Sequence, residues 1–247
     1  RKGARKCLVG IGGSATNDAG FGMARALGWR FVDRQGRAIE RWTDLHLLAS
    51  ILPPRQRRLL ADLVVAVDVQ NPLLGMRGCT RVYGPQKGLR EADFALAERC
   101  LRRLATVVAR DLKLTVARTP GAGAAGGLGF GLCCFAGGHL EPGFALFARH
   151  ARLLARLRSA DLVITGEGRI DSSSVMGKGV GEIAAACRRF NVPCLGLGGM
   201  IGDRAVTEKR FARVAAITPT LTNPEQAQAR PAHWLAKLAA SVAAEWA

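Results

Sequence analysis

The sequence predicts an α/β protein built on parallel sheet. Three observations predict it. Short continuous apolar runs of strand length recur at 6–11, 61–69, 161–165, 193–198 and 214–218, stretches of helical period lie between several of them, and glycine-rich polar loops follow the runs. Continuous rather than alternating apolar strands belong to sheets covered on both faces, and their alternation with amphipathic helices marks parallel topology. The alternation is plainest after residue 160. That region supplies only three strands, thin for a domain, so either the first 150 residues complete its sheet or further strands lie outside this chain.

KCLVGI, 6–11, reads as a buried strand that opens directly into GGSATNDAG. FGMARALG, 21–28, has helical spacing and a glycine stop, and WRFVDRQGR, 29–37, reads as a hairpin around a D-x-x-G turn. ADLVVAVDV, 61–69, is a second buried strand; it ends in Asp68 and runs into NPLLG, where Pro72 forces the residue before it to be extended. Beyond the GPQKG loop at 84–88, Phe94, Leu96, Ala97, Leu101 and Leu104 set a helix over 91–109. PGAGAAGGLGFG, 120–131, is different in kind. Glycine costs about 0.5 to 1 kcal/mol per residue inside an element, so this stretch is a loop or a helix packed very close to another backbone. Helical period returns over 143–158, with Arg149, Arg152, Arg156 and Arg158 on the wetter sides. After ADLVITGEG come a helix at 179–190, a strand, a short helix at 204–211, a strand, and a last helix over 231–246.

Composition removes several classes of function. With 49% apolar and 22% charged residues in 247, the chain is neither disordered nor collagen-like. There is no apolar run of membrane-spanning length and no apolar signal core after RKGARKC, so neither a membrane partner nor secretion is expected and a cytoplasmic address is the default. The formal charge of +17 comes from 36 basic against 19 acidic residues, scattered without a block of five. One Tyr and nine Phe do not interleave with a basic stripe, so the charge reads as a field attracting anionic metabolites rather than nucleic acid. Seven Cys without a CxxC pair and four dispersed His argue against zinc. Nothing in the sequence fixes an oligomeric state.

Four clusters carry polar groups where α/β proteins place ligands. In GGSATND, Gly12 and Gly13 can expose backbone N–H groups while Ser14, Thr16, Asn17 and Asp18 offer polar side chains to a polyol or phosphate; the plainer alternative is a turn in which Asp18 caps the following helix. Asp68 stands at the end of an apolar strand, placed to orient a hydroxyl or to serve Asn71 or Lys87; a buried carboxylate there would need a partner. Gln86 and Lys87, between two glycines, suit a phosphate or carboxylate. GAGAAGG, 121–127, includes Gly126 and Gly127. In TGEGRIDSSS-x-x-GK, Glu167 and Asp171 would share a face if the turn were helical and could hold Mg²⁺ through water, with Lys178 against phosphate; alternatively Asp171 caps a helix and Lys178 faces solvent. There is no GxxxxGK[ST], no Rossmann GxGxxG and no GxSxG elbow, and His139 reads as an isolated side chain hydrogen-bonding a turn. Phosphoryl transfer without a P-loop stays open.

GGSATNDAG at 12–20, DVQNPLLG with GPQKG at 68–88, GAGAAGGLG at 121–129 and ITGEGRIDSSSVMGK at 164–178 resemble, in order, the motif blocks of bacterial glycerate kinases of the GarK/GlxK type (type 1). The resemblance implies a Mg²⁺-dependent ATP:D-glycerate phosphotransferase. It implies a Rossmann-like parallel-sheet domain plus a second, inserted α/β domain, with the active site in the cleft between them. On this chain the expectation is an inserted domain at 1–142 and the C-terminal part of the Rossmann-like one at 143–247. The implied catalytic residues are Asp68, Asp171 and Lys178. Substrate or nucleotide binding falls to Gly12, Gly13, Ser14, Asn17, Asp18, Asn71, Lys87, Gly126 and Gly127, and metal binding to Glu167 and Asp171. The chain departs from the family in lacking an opening strand and loop like APDSFKGSLS. The Rossmann-like domain is therefore expected to be incomplete, and the chain to be a fragment or an inactive member that binds nucleotide or serves a structural role.

Overall fold

The computed structural model describes residues 3–55, 60–172, 174, 179–202 and 209–246. The chain is an α/β protein with parallel sheets, and it divides into two compact units, Arg1–Gly143 and Phe144–Ala247. The expected short helix at 204–211 falls largely outside the described residues, as does Lys178.

Unit 1 is built on three parallel strands in the order β1 (Lys6–Gly10), β4 (Asp62–Val67), β5 (His139–Pro142). β1 and β4 run in register from Lys6 opposite Asp62 to Gly10 opposite Ala66, and β4 meets β5 from Val64 opposite His139 to Val67 opposite Pro142. His139 is thus a strand residue rather than part of a turn, and its ring nitrogens reach Asp62 at 3.8 Å and Glu141 at 3.2 Å. HLEP has too few apolar residues to announce a strand; pairing with β4 makes it one.

Around this sheet lie α1 (Phe21–Ala26), α2 (Cys79–Tyr83), α3 (Phe94–Asp111) and α4 (Ala124–Ala136). The D-x-x-G hairpin is present, with Asp33 N–H donating to the Arg37 carbonyl at 3.0 Å. Its first strand, β2 (Arg30–Val32), also pairs antiparallel with β3 (Ser50–Leu52), a strand too short to read from sequence. The larger core joins Phe21, Trp29, Phe31, Phe130 and Phe135 to the buried side of α3, and Trp29 Nε1 donates to the Phe135 carbonyl at 2.9 Å. A second core lies between α4 and the sheet, through Leu63, Val65, Val67, Leu132 and Ala136.

The glycine-rich stretch forms a helix interrupted by a left-handed turn at Ala125, Gly126 and Gly127, with φ of 56°, 68° and 85°. Gly126 has to be glycine twice over. Its φ disfavours a side chain, and a Cβ would lie 1.8 Å from the Thr16 carbonyl oxygen.

Unit 2 carries α5 (Gly143–His150, beginning at the last residue of unit 1), α6 (Leu153–Arg158), α7 (Gly179–Arg189), α8 (Pro224–Ala229) and α9 (Pro231–Trp246). Its sheet is three parallel strands in sequential order, β6 (Val163–Ile170), β7 (Cys194–Ile201) and β8 (Arg213–Thr218). One core packs Leu157, Ile170, Ala184, Cys187, Cys194 and Phe211. β6 is longer than the expected 161–165 because GEGRI stays paired with β7, Glu167 opposite Gly198 and Ile170 opposite Ile201. Among the described residues no helix is long and apolar enough to cross a membrane.

Candidate functional site

The carboxyl ends of β1 and β4 open onto a cavity of about 290 Å³ in unit 1. That is the end of a parallel sheet at which α/β proteins bind ligands. Gly12, Gly13 and Ser14 reach it from the loop after β1, Asp68 from the loop after β4, and Gln86 and Lys87 from the GPQKG turn; Tyr83, Ala124 and Ala125 complete its walls. The volume lies at the small end of the range for small-molecule sites.

Lys87 is the cation of this cavity. Its Nζ donates to Ser14 Oγ at 2.8 Å and to the Thr16 carbonyl at 2.7 Å. Both partners are neutral oxygens, and an ammonium has three donors, so one N–H and the full charge remain for an anion. Burial pushes the Lys87 amine below the usual lysine range, against which the nearby Cys79 and Asp18 act. Burial raises the Cys79 thiol to about 12, so near neutral pH Cys79 is uncharged and Asp18 is the opposing charge that counts.

The loop that presents Ser14 is fixed from below by α4. Ala19 N–H donates to the Gly126 carbonyl at 3.0 Å, just where Gly126 passes under Thr16. Gly126 and Gly127 are therefore a backbone clamp, and the cavity wall itself is made by Ala124 and Ala125. Asn17, 8% exposed, donates through Nδ2 to Thr80 Oγ1 at 3.3 Å, and its Oδ1 is buried without a partner among the described residues. The Asp18 carboxylate accepts from Gly20 N–H at 3.0 Å and Gly22 N–H at 2.9 Å, holding the entry to α1, which is the plainer of its two sequence readings. Asn71 also points inward: its Nδ2 donates to the Arg77 carbonyl at 2.8 Å, and its Oδ1 accepts the Tyr83 hydroxyl at 2.7 Å. Asn71 thus fixes Tyr83, and Tyr83 faces the cavity. Tyr83, the only tyrosine in the chain and the residue directly before GPQKG, is a cavity residue outside the polar motif blocks. Asp68 is exposed, so the burial cost considered for it does not arise.

Unit 2 has its own cavity, about 880 Å³, along the face of β6 and β7 and against α8 and α9. Ile164, Leu197, Ile217, Pro224, Pro231 and Leu235 make it largely apolar, with Thr165, Glu167, Arg169, Thr218 and Gln228 as its polar side chains. The turn that would have put Glu167 and Asp171 on one helical face is extended: Glu167 lies within β6, and four residues of strand span roughly 13 Å. Asp171 Oδ2 is paired with Arg169 Nε at 3.1 Å, and its N–H donates to Ser174 Oγ at 3.1 Å. Glu167 Oε1 is buried with no hydrogen-bond partner among the described residues. No cluster of three metal-ligating side chains occurs among them. Mg²⁺ is commonly held by one or two carboxylates together with substrate phosphates, so the Glu167 oxygen fits such an ion where a helical Glu167–Asp171 pair does not.

Comparison with known proteins agrees with the motif blocks. The glycerate kinase family profile matches residues 1–247. The chain is 37% identical to a glycerate kinase of Halalkalibacterium halodurans over 249 residues, 98% of this chain and 65% of that protein. It is 41% identical to the glycerate 2-kinase of Escherichia coli over 208 residues, 81% of this chain and 54% of the relative. The crystal structure of a glycerate kinase 2 homologue from Salmonella typhimurium LT2 superposes with a TM-score of 0.69 at 40% identity, covering 86% of this chain and 56% of the other. The chain thus spans slightly under two thirds of the length of the first of these relatives. A family match over residues 1–247, through the strands and helices of both units, places this chain in the glycerate kinase family.

Proposed function

We propose that the chain acts in Mg²⁺-dependent transfer of the ATP γ-phosphoryl group to a hydroxyl of D-glycerate, as in the type 1 glycerate kinases that its motif blocks resemble. The observation that carries the reading is the unit 1 cavity, where the charge of Lys87 and the carboxylate of Asp68 face a space the size of a small hydroxy acid. Lys87 meets the substrate carboxylate with a charge-assisted hydrogen bond, Ser14 and the N–H groups of Gly12 and Gly13 receive its oxygens, and Asp68 orients the attacking hydroxyl. Tyr83, held by Asn71, walls the space against longer acids. The apolar groove of unit 2 has room for an adenosine moiety, and Glu167 would hold Mg²⁺, which supplies charge compensation at the phosphoryl oxygens. The reading requires both ligands to reach one reacting centre, because phosphoryl transfer rests on positioning. An acid-binding protein without turnover is the second reading, favoured by the unit 1 cavity, whose Lys87 and Ser14 suffice to bind a small acid without a nucleotide.

The test is ADP formation that requires both D-glycerate and Mg²⁺, assayed for this chain and for the chain carrying a family-like opening segment. Activity of either protein supports the kinase reading. ATP binding by the extended protein without glycerate-dependent ADP sinks it and leaves the second reading. Product analysis then separates 2-phosphoglycerate from 3-phosphoglycerate.

A further inference from the structure

We propose that Gly143 is a positioning residue for Asp68, acting as a keyhole that only a residue without Cβ leaves open; the functional part of this inference rests on the reading of Asp68 given above. Asp68 and Gly143 follow directly on the paired residues Val67 and Pro142 at the ends of β4 and β5. There the Asp68 side chain leans over Gly143. A Cβ built at Gly143 would lie 2.5 Å from Asp68 Oδ1, 3.2 Å from its Cγ and 3.4 Å from Oδ2. Gly143 does not have the left-handed φ that would itself demand glycine. What the glycine accommodates is the carboxylate of a cavity residue.

The chemistry separates position from fold. The group in the way is the free end of a flexible side chain, so a methyl at position 143 need not strain the backbone. The carboxylate swings aside by about 1 Å to recover ordinary van der Waals contact. Phosphoryl transfer tolerates such displacement poorly: a misplacement of about 1 Å costs up to roughly a hundredfold in rate. Gly143→Ala therefore moves the Asp68 carboxylate while leaving residue 68 itself unchanged.

The experiment is a double-mutant cycle of Gly143→Ala and Asp68→Asn in the protein that shows turnover, with thermal unfolding and a crystal structure of Gly143→Ala. The expected result is a kcat lowered by about ten- to a hundredfold in Gly143→Ala with KM changed far less, an unfolding midpoint close to the parent's, and a displaced Asp68 carboxylate. In the Asp68→Asn background the same alanine should change kcat less than about twofold, because the effects of residues acting through one group do not multiply. Full multiplication of the two effects, a Gly143→Ala enzyme with parental kcat, or a large drop in the unfolding midpoint overturns the proposal; the last would mean that Gly143 serves the fold. If no protein in the set turns glycerate over, the kinase reading fails by itself. The crystal structure of Gly143→Ala then decides the keyhole alone: an Asp68 carboxylate left where the parent holds it overturns the keyhole, and a displaced one sustains it.

Discussion

In unit 1 the cavity is braced by side-chain hydrogen bonds, Lys87 to Ser14 across it and Tyr83 to Asn71 and Asn17 to Thr80 behind it, whereas in unit 2 the larger groove is a sheet face with few such ties among the described residues. Unit 2 leaves Ile164 61% and Leu235 46% exposed along that groove and holds one carboxylate oxygen that no described group satisfies. A polar, cross-braced cavity selects a ligand by the position of its charges, because each donor is already aimed. An apolar groove selects by shape and area. On the proposed function, the difference would give recognition of a small acid to unit 1 and the holding of a bulkier ligand to unit 2.

The largest effect should come from breaking the brace of unit 1 at its backbone. Gly126→Ala meets the Thr16 carbonyl and a left-handed φ together, so unfolding measurements should show a loss of about 3 kcal/mol or more. If the loss is below about 1 kcal/mol, the clamp under the Ser14 loop is not what holds it.

Next comes the charge. Lys87→Met should weaken D-glycerate binding by about 2 to 3 kcal/mol, roughly thirtyfold or more by calorimetry, while costing about 1 kcal/mol of stability for the lost bonds to Ser14 and Thr16. Parental affinity in this variant would remove Lys87 from the site.

The titration of Lys87 sharpens the same point. Its folded-state pKa is depressed, so between that value and the ordinary lysine value the unfolded chain binds more protons and stability rises with pH through the window. Affinity for an acid runs the other way and falls through the depressed pKa, at lower pH than an ordinary lysine would give. A pH series of binding constants for parent and Lys87→Met checks this: the alkaline fall should be absent from the variant.

The smallest expected effect is in unit 2. Glu167→Gln removes a charge that has an unsatisfied oxygen, so the unfolding free energy should move by no more than about 0.5 kcal/mol while the Mg²⁺ concentration needed for half-maximal turnover rises. A marked destabilisation with an unchanged Mg²⁺ requirement would make Glu167 a structural residue and erase the contrast between the units.

By itself the sequence determined the strands at β1, β4, β7 and β8, the long helix α3 and the loops that follow the strands, because burial writes continuous apolar runs and helical periods locally. It also singled out Ser14 and Asp68, in loops where strands end, and Gln86 and Lys87, in the glycine-bounded turn after α2. Only the tertiary structure decided which members of each motif face the cavity. Asn17, Asp18 and Asn71 look equivalent to Ser14 in the chain, yet their side chains are committed to Thr80, to the N–H groups of Gly20 and Gly22, and to Tyr83 and Arg77, contacts of which two span 63 and 12 residues. The same holds for β3 and β5, whose few residues become strands through the partners they pair with. It holds too for Gly126 and Gly143, since a missing Cβ shows its purpose only when the atom it would strike, the Thr16 carbonyl or the Asp68 carboxylate, has been brought beside it from far away in sequence.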